Sequence, residues 1–154
     1  MADHKTLQIR DRIVTTVTGL VTTGTDVFAA RVYPLQESDL PALTVKIGAS
    51  ESETHNMGNR DVLFKTEFII TAHVQDISDV DAALLLIAKE VGVALGSDLD
   101  ETSNPPWLNG LATAFYPAEE PLSEPESSGE GKKPIATMEI KWAAEYVTAI
   151  NNWE

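Results

Sequence analysis

Cysteine is absent from this 154-residue chain, and long apolar runs and basic residues are scarce. The lack of cysteine excludes disulfides, thiolate catalysis and zinc sites built on cysteine. No apolar run approaches the ~20 residues that span a membrane, and the first residues, MADHKTLQIRDR, lack the apolar core of a secretory signal. We therefore expect a protein that is made in the cytoplasm and does not enter a membrane.

The charge of the chain is strongly acidic, with 24 Asp and Glu against 11 Lys and Arg and a net charge of -13. Such a surface repels phosphate, whereas nucleic-acid binding relies on clustered basic residues. The only adjacent basic pair is Lys132 and Lys133. We predict no specific binding of DNA or RNA and no docking on an anionic membrane. The simplest use of the acidity is solubility.

Hydrophobic periodicity predicts one helix and three strands in the first half of the chain. Residues 4–22 carry apolar side chains at the spacing of one helical face. Strands are predicted at Val27–Tyr33, Ala42–Ile47 and Val62–Val74, the last being long enough to carry a bulge or to extend beyond the sheet. The polar stretch 48–61 predicts a long loop or a flexible hairpin tip.

The second half predicts a helix and two further strands. The helix begins near Ser78 and ends at Gly96, with an apolar stripe of Val80, Ala83, Leu84, Ile87, Val91 and Leu95. The strands span Trp107 to Tyr116 and Ile135 to about Ile150, and in the second of them Met138, Ile140, Trp142, Ala144 and Tyr146 lie on one side. Between them, residues 117–134 are rich in Pro, Glu, Ser and Gly, which is the composition of a mobile loop.

The predicted order of elements is α-β-β-β-α-β-β, in one domain of residues 1–154. Strands with one polar side argue for an α+β fold, in which a mostly antiparallel or mixed sheet carries two helices on one face. In this arrangement Phe68 and Ile70 should be buried under the helix that carries Leu84 and Ile87.

Three segments match known site motifs only in part, because each has another residue where the motif needs glycine. The phosphate loop, the nucleophile elbow and the calcium loop need these glycines for their tight turns. The segments are GEGKKP at 129–134 with Glu126 in place of the first glycine, GASES at 48–52 with Ser52, and DLDETSN at 98–104 with Ser103. We predict a polar turn at 48–52, a helix-terminal turn at 98–104, and no phosphate site at 129–134.

The remaining polar residues do not define a catalytic or metal site. No two of the three histidines, His4, His55 and His73, have the spacing of metal ligands. The acidic residues are numerous, but the sequence selects no pair of them for glycosidase chemistry. We assign no catalytic residue, no metal ligand and no cofactor.

The stretch from Glu37 to Val45, ESDLPALTV, follows the first predicted strand and leads into the second. Together with the helix before it, it resembles the tail terminator proteins of long-tailed bacteriophages, which are the minor tail proteins of the U type. The likeness continues through the turn at 48–51, the long strand, the helix from Asp79 to Leu95 and a final strand hairpin. The segment 117–134 departs from it by being longer and more acidic than the family leads us to expect.

The resemblance implies an α/β fold that assembles into a hexameric ring. Such a ring caps the tail tube, stops its polymerisation and provides the surface on which the head-tail connector docks. The implied location is the head-proximal end of the tail in the virion. The implied partners are further copies of the chain, the tail tube protein and the connector. The resemblance implies no catalytic residue, and DNA would pass through an acidic lumen without specific contacts.

Six polar residues are candidates for contacts with a neighbouring subunit or with the tube: Glu37, Asp39, Glu51, Glu53, His55 and Arg60. Pro34 and Pro41 bracket the first two of them and hold the ends of the acidic loop extended at little entropic cost. The loop would then present its carboxylates in a fixed place, although a loop that only turns the chain is the alternative interpretation.

Three other classes of protein stay open from sequence alone. The chain could form another ring of the phage neck or tail-completion machinery, act as a small enzyme with an unrecognised site, or serve as an adaptor. A ring former should oligomerise, an enzyme should show a deep pocket with converging polar groups, and an adaptor should stay monomeric.

Overall fold

A computed structural model of the chain describes residues 4–29, 41–56, 61–75, 80–99, 102, 105–108, 110–118, 122–126 and 135–149. The elements in chain order are α1 (Lys5–Val17), β1 (Val27–Ala29), β2 (Ala42–Asn56), β3 (Asp61–Gln75), α2 (Val80–Gly96), β4 (Ala114–Pro117), β5 (Leu122–Glu126) and β6 (Ile135–Ala149). The predicted α+β class, with two helices on a mixed and mainly antiparallel sheet, is confirmed.

The sheet has the strand order β1-β2-β3-β6-β4, and β5 also pairs with β6. Only β1 and β2 run parallel, and the other neighbours are antiparallel. All 15 residues of β3 pair with β6, from Asp61 opposite Ala149 to Gln75 opposite Ile135. The final strand in the sequence therefore lies inside the sheet.

One face of the sheet and the facing sides of both helices form the core. Successive side chains of a strand point to opposite faces, and the even-numbered residues of β3 and β6 point to the helices. Phe68 lies opposite Trp142, and Ile70 lies opposite Ile140. The helices contribute Ile9, Ile13, Val17, Leu84, Ile87, Val91 and Leu95, all fully buried. The predicted burial of Phe68 and Ile70 under α2 is confirmed.

The predicted apolar stripes of α2 and β6 are largely as expected. In α2 four of the six predicted residues are fully buried, Ala83 is half-buried, and the side chain of Val80 is not described. In β6 all five residues predicted on one side are buried, namely Met138, Ile140, Trp142, Ala144 and Tyr146.

The first helix ends at Val17 instead of continuing to residue 22 as predicted. Thr18 is already extended, with φ -79° and ψ 133°. The hydroxyl groups of Thr15 and Thr16 donate hydrogen bonds to the carbonyl oxygens of Asp11 and Arg12, four residues earlier. Threonine side chains compete in this way with the helical backbone, and their β-branching restricts rotamers in a helix. The threonine-rich end of the predicted helix therefore forms a turn.

The second strand continues to Asn56, although residues 48–56 were predicted as loop or hairpin tip. A bulge between Ile47 and Ser50 adds one residue, after which pairing with β3 resumes. At the bulge a Cβ on Gly48 would lie 3.3 Å from the carbonyl oxygen of Glu67, which explains the glycine. The strand beyond it lacks an apolar period because residues 50–53 are exposed on both sides.

Two further predictions between α2 and β6 were wrong. The predicted strand from Trp107 to Tyr116 is mostly turn, and only its end belongs to β4. Within the predicted mobile loop of 117–134, residues 122–126 form β5 on the edge of β6. The strands β4 and β5 lie end to end along β6. Backbone pairing with β6 holds them there, so their sequences do not need an alternating apolar pattern. The mobility predicted for 119–121 and 127–134 concerns residues outside those described.

We predict that Phe68→Ala lowers the free energy of unfolding by about 3–5 kcal/mol, because it leaves a cavity in the middle of the core. The matched control is Glu67→Ala, the adjacent residue, whose side chain points to the other face and is half-exposed. Urea denaturation of both variants measures the difference. A loss of similar size in the two variants would contradict the strand register described above.

Candidate functional site

The predicted interface residues are only partly described by the structure. Glu51 and Glu53 are exposed and lie two residues apart on the same face of β2. The backbone of His55 belongs to β2, but its side chain is not described. Glu37, Asp39 and Arg60 lie outside the described residues. Of the six residues, the structure therefore brings together only Glu51 and Glu53, at the outer edge of the sheet.

Polar side chains in the described ranges do not converge on a metal. No group of three or more His, Asp or Glu residues there could hold an ion. His73 lies with its Nε2 3.1 Å from the Thr44 hydroxyl, and burial lowers the pKa of the imidazole. The ring is therefore neutral at pH 7 and links two strands through a hydrogen bond. Within the same ranges, no helix combines the length and the apolar character that crossing a membrane requires.

A chain of hydroxyl groups ties the start of α1 to the sheet. Ser50 lies 2.9 Å from the hydroxyl of Thr66, Thr66 lies 3.1 Å from that of Tyr146, and Tyr146 lies 2.6 Å from that of Thr6. The four residues belong to β2, β3, β6 and α1. Thr66 is fully buried, so its hydrogen bonds offset the loss of water around a polar group. These linked hydroxyl groups fix where α1 begins relative to the sheet.

A second polar contact joins the two helical segments. Arg12 of α1 donates two hydrogen bonds, of 3.0 and 2.8 Å, to the carboxylate of Asp98, just after α2. The Thr16 hydroxyl lies 3.0 Å from the same carboxylate and shares its single proton between Asp98 and the carbonyl oxygen of Arg12. Burial of the Asp98 carboxyl raises its pKa, but the hydrogen bonds from Arg12 and Thr16 and the charge of Arg12 outweigh burial and leave the pKa below its ordinary value. Asp98 lies in the turn that ends α2, where its backbone N–H donates to the carbonyl oxygen of Leu95. The described start of 98–104 therefore agrees with the turn predicted there.

The sheet face turned away from the helices, which we call the open face, is much less buried than the core. It carries exposed lysines and half-buried apolar residues in rows across β2, β3 and β6. One row is Lys46, Ile69 and Lys141, the next but one is Glu51, Lys65 and Glu145, and the row after that is Glu53, Leu63 and Val147. The open face therefore mixes both signs of charge with apolar patches.

Lys65 on the open face interacts with an aromatic ring. Its Nζ lies 5.8 Å from the ring centroid of Tyr116 in β4, within the range of a cation–π interaction. Tyr116 in turn pairs with Ala143 of β6. The lysine is thus held toward the β4 side of the sheet, although register places it between Glu51 and Glu145.

The side of α2 that faces away from the sheet is unusually apolar. Leu85, Leu86 and Val93 expose 55%, 51% and 62% of their surface. With Lys89 they form a strip along the helix that we call the outer stripe. Sequence reasoning missed it because it used periodicity only to find the core. The available signal was that α2 is apolar on more than one face, which is typical of a helix covered on two sides.

Comparison of the sequence with models of known protein families finds no match, and comparison with curated proteins finds no relative. The features of the molecule that bear on its function are therefore the two surfaces just described and the sequence pattern around Glu37–Val45.

We predict that Asp98→Asn lowers the free energy of unfolding by about 1 kcal/mol at pH 7, because it removes the charge that Arg12 contacts. The folded-state pKa of Asp98 lies below its unfolded value of about 3.9. The stabilisation by the carboxylate is therefore present in full above that value and is lost as the pH falls through the folded-state pKa. Urea unfolding at several pH values should show the variant and the wild type converging in acid.

The control for this experiment is Asp11→Asn. Asp11 pairs with Arg10 at 3.0 Å, but its side chain is 55% exposed, and exposed pairs contribute little. We expect a change below about 0.5 kcal/mol at every pH. A difference between wild type and Asp98→Asn that stays constant from neutral to strongly acidic pH would contradict the role given to the Asp98 charge.

Proposed function

We propose that this chain is a ring-forming tail terminator of a long-tailed bacteriophage. In this role it caps the tail tube, stops its polymerisation and offers the surface on which the head-tail connector docks. The observation that carries the proposal is the presence of two different partly apolar surfaces on opposite sides of one subunit. These are the outer stripe of α2 and the open face of the sheet.

Two different surfaces on one subunit favour head-to-tail assembly. A two-fold dimer uses the same patch on both subunits, whereas a ring repeats a contact between two unlike patches. Contiguous apolar patches on a protein surface often mark a site where a partner binds. Since the outer stripe and the open face point in opposite directions, each copy can contact two neighbours at once.

The sequence pattern supports the tail terminator over other ring proteins. The stretch ESDLPALTV leads into β2, which begins at Ala42. The elements β2, β3 and α2 then follow in the order expected for the family that this sequence resembles. This resemblance supplies the proposed partners, namely the tail tube protein and the connector, and the proposed place at the head-proximal end of the tail. The proposal assigns a structural role and no catalytic residue.

The charge of the chain fits a ring through which DNA passes. Six copies with a net charge of -13 each would bring about 80 negative charges together, and like charge disfavours contact with phosphate. The same charge opposes assembly, because the copies repel one another over a Debye length of ~10 Å at 0.1 M salt. Assembly should therefore respond to ionic strength.

We predict that the purified protein grows from monomer toward hexamer as its concentration and the salt concentration rise. Light scattering after size-exclusion chromatography measures the mass, and negative-stain microscopy should show rings. The physical reason is that salt screens the repulsion between acidic subunits.

The second part of this test uses the tail tube protein of the same phage. Added in substoichiometric amounts during tube polymerisation, the chain should shorten the tubes and should be found at their ends. Rings that form but leave tube length unchanged would instead indicate another ring of the neck or tail-completion machinery. A chain that stays monomeric at every concentration and salt and leaves tube length unchanged would contradict the proposed function.

A further inference from the structure

Charged and apolar residues alternate at regular spacing along both α2 and β6, and the charges follow one another in opposite order on the two elements. On the outer side of α2, every fourth residue gives the order acidic, apolar, basic, apolar: Asp81, Leu85, Lys89 and Val93. On the open face of β6, every second residue gives the order basic, apolar, acidic, apolar: Lys141, Ala143, Glu145 and Val147. Asp81 in the first pattern therefore corresponds to Lys141 in the second, and Lys89 corresponds to Glu145.

The two patterns also have nearly the same spacing. Four residues of helix rise about 6.0 Å, and two residues of antiparallel strand rise about 6.8 Å. Over three steps the helix advances about 18 Å and the strand about 20 Å. A helix in the same direction as the strand would therefore match all four positions along its length. Since every fourth residue also turns by about 40° around the helix, the helix would cross the strand at an angle, with Leu85 and Lys89 at the centre of the row facing it most directly.

We propose that the outer stripe of α2 in one copy of the chain packs along β6 on the open face of the next copy. Lys89 of one copy then meets Glu145 of its neighbour, Val93 meets Val147, and Asp81 lies near Lys141. This inference rests on the proposed ring function and deepens it, because it names the two surfaces that close the ring.

The contact must join two copies, because α2 cannot reach the open face of its own sheet. Its opposite side, with Leu84 and Ile87 fully buried, packs on the other face of that sheet. A contact between unlike surfaces on opposite sides of a subunit repeats from copy to copy in one direction. It closes into a ring when the rotation between copies allows.

The charged residues at the centre of this contact are available for it. The side chains of Lys89 and Glu145 form no ion pair with another described residue, and Lys65, the lysine opposite Glu145, is directed at Tyr116. An ion pair between copies would satisfy both charges and fix the register of the contact, since wrong registers bring like charges together.

The apolar part of the contact lies beside these charges. Ala143 is already fully buried, so Leu85 and Leu86 would contact the half-buried ring of Tyr116, which lies in the same row. Farther along, Val93 would cover the half-buried Val147. Burial of these leucine and valine side chains drives the association, and the charges select its direction.

The test reverses the central charges one at a time. Lys89→Glu and Glu145→Lys each place like charges at the contact, and each should weaken self-association at least tenfold by analytical ultracentrifugation. Combined in one chain, the two changes restore opposite charges and should restore assembly. The matched control is Lys5→Glu, which makes the same change of charge in α1, and it should stay within twofold of wild type. Thermal unfolding checks that every variant is folded.

Mixing the two single variants gives the sharpest result. Each variant repels itself, but a Glu at position 89 of one variant meets a Lys at position 145 of the other, and the reverse contact pairs Lys89 with Glu145. An equimolar mixture should therefore assemble with alternating copies, while either variant alone does not. An effect within twofold for both single variants, or no recovery on mixing, would overturn this interface.

The outcomes for the interface and for the proposed function are distinguishable. Rings that shorten tail tubes but ignore the charge reversals would overturn the interface and keep the terminator function. Oligomers that follow the charge reversals and recover on mixing, but never shorten tubes, would keep the interface and contradict the terminator function. A wild-type chain that never self-associates, alone or on tubes, would overturn both.

Discussion

The antiparallel ladder between β3 and β6 is the contact on which the rest of the fold depends. Every one of the 15 residues of β3 pairs across it, and Phe68 and Trp142 meet under α2 at its middle. The strands β1 and β2 are attached through β3, and β4 and β5 through β6. Without this ladder the sheet would separate into two parts, and α2, which packs across β3 and β6, would lose the continuous apolar face that it covers.

The parts of the fold that sequence predicted are those whose stability comes from burial. The strands β3 and β6 and the helix α2 each bury one side against the core, so their apolar residues recur with a readable period. The distal half of β2 and all of β5 are held by backbone pairing at the edges of the sheet. Such strands need no apolar pattern, so residues 50–56 and 122–126 were predicted as loop.

The candidate site was less predictable than the fold. Glu51 and Glu53 were selected by charge and by a predicted loop position, and they are exposed but belong to a strand. Nothing in the sequence indicates which surfaces would face each other in the proposed contact between copies. The outer stripe became visible only when the core side of α2 was known, because Leu84 and Leu85 look alike in a sequence. The role proposed for Lys89 likewise depends on which residues of β6 lie on the open face, and the register of the strand pairing determines which ones do.

The place of β6 inside the sheet has a consequence for biosynthesis. When β3 leaves the ribosome, roughly 60 residues must still be added before its partner begins at residue 135, which takes roughly 3–12 s at bacterial rates of translation. During that time the nascent chain presents a long apolar strand with an unpaired edge, which is the kind of segment that chaperones bind. Completion of the sheet by β6 also completes the open face. A chain without residues 135–149 therefore cannot present that face or form the contact proposed between copies.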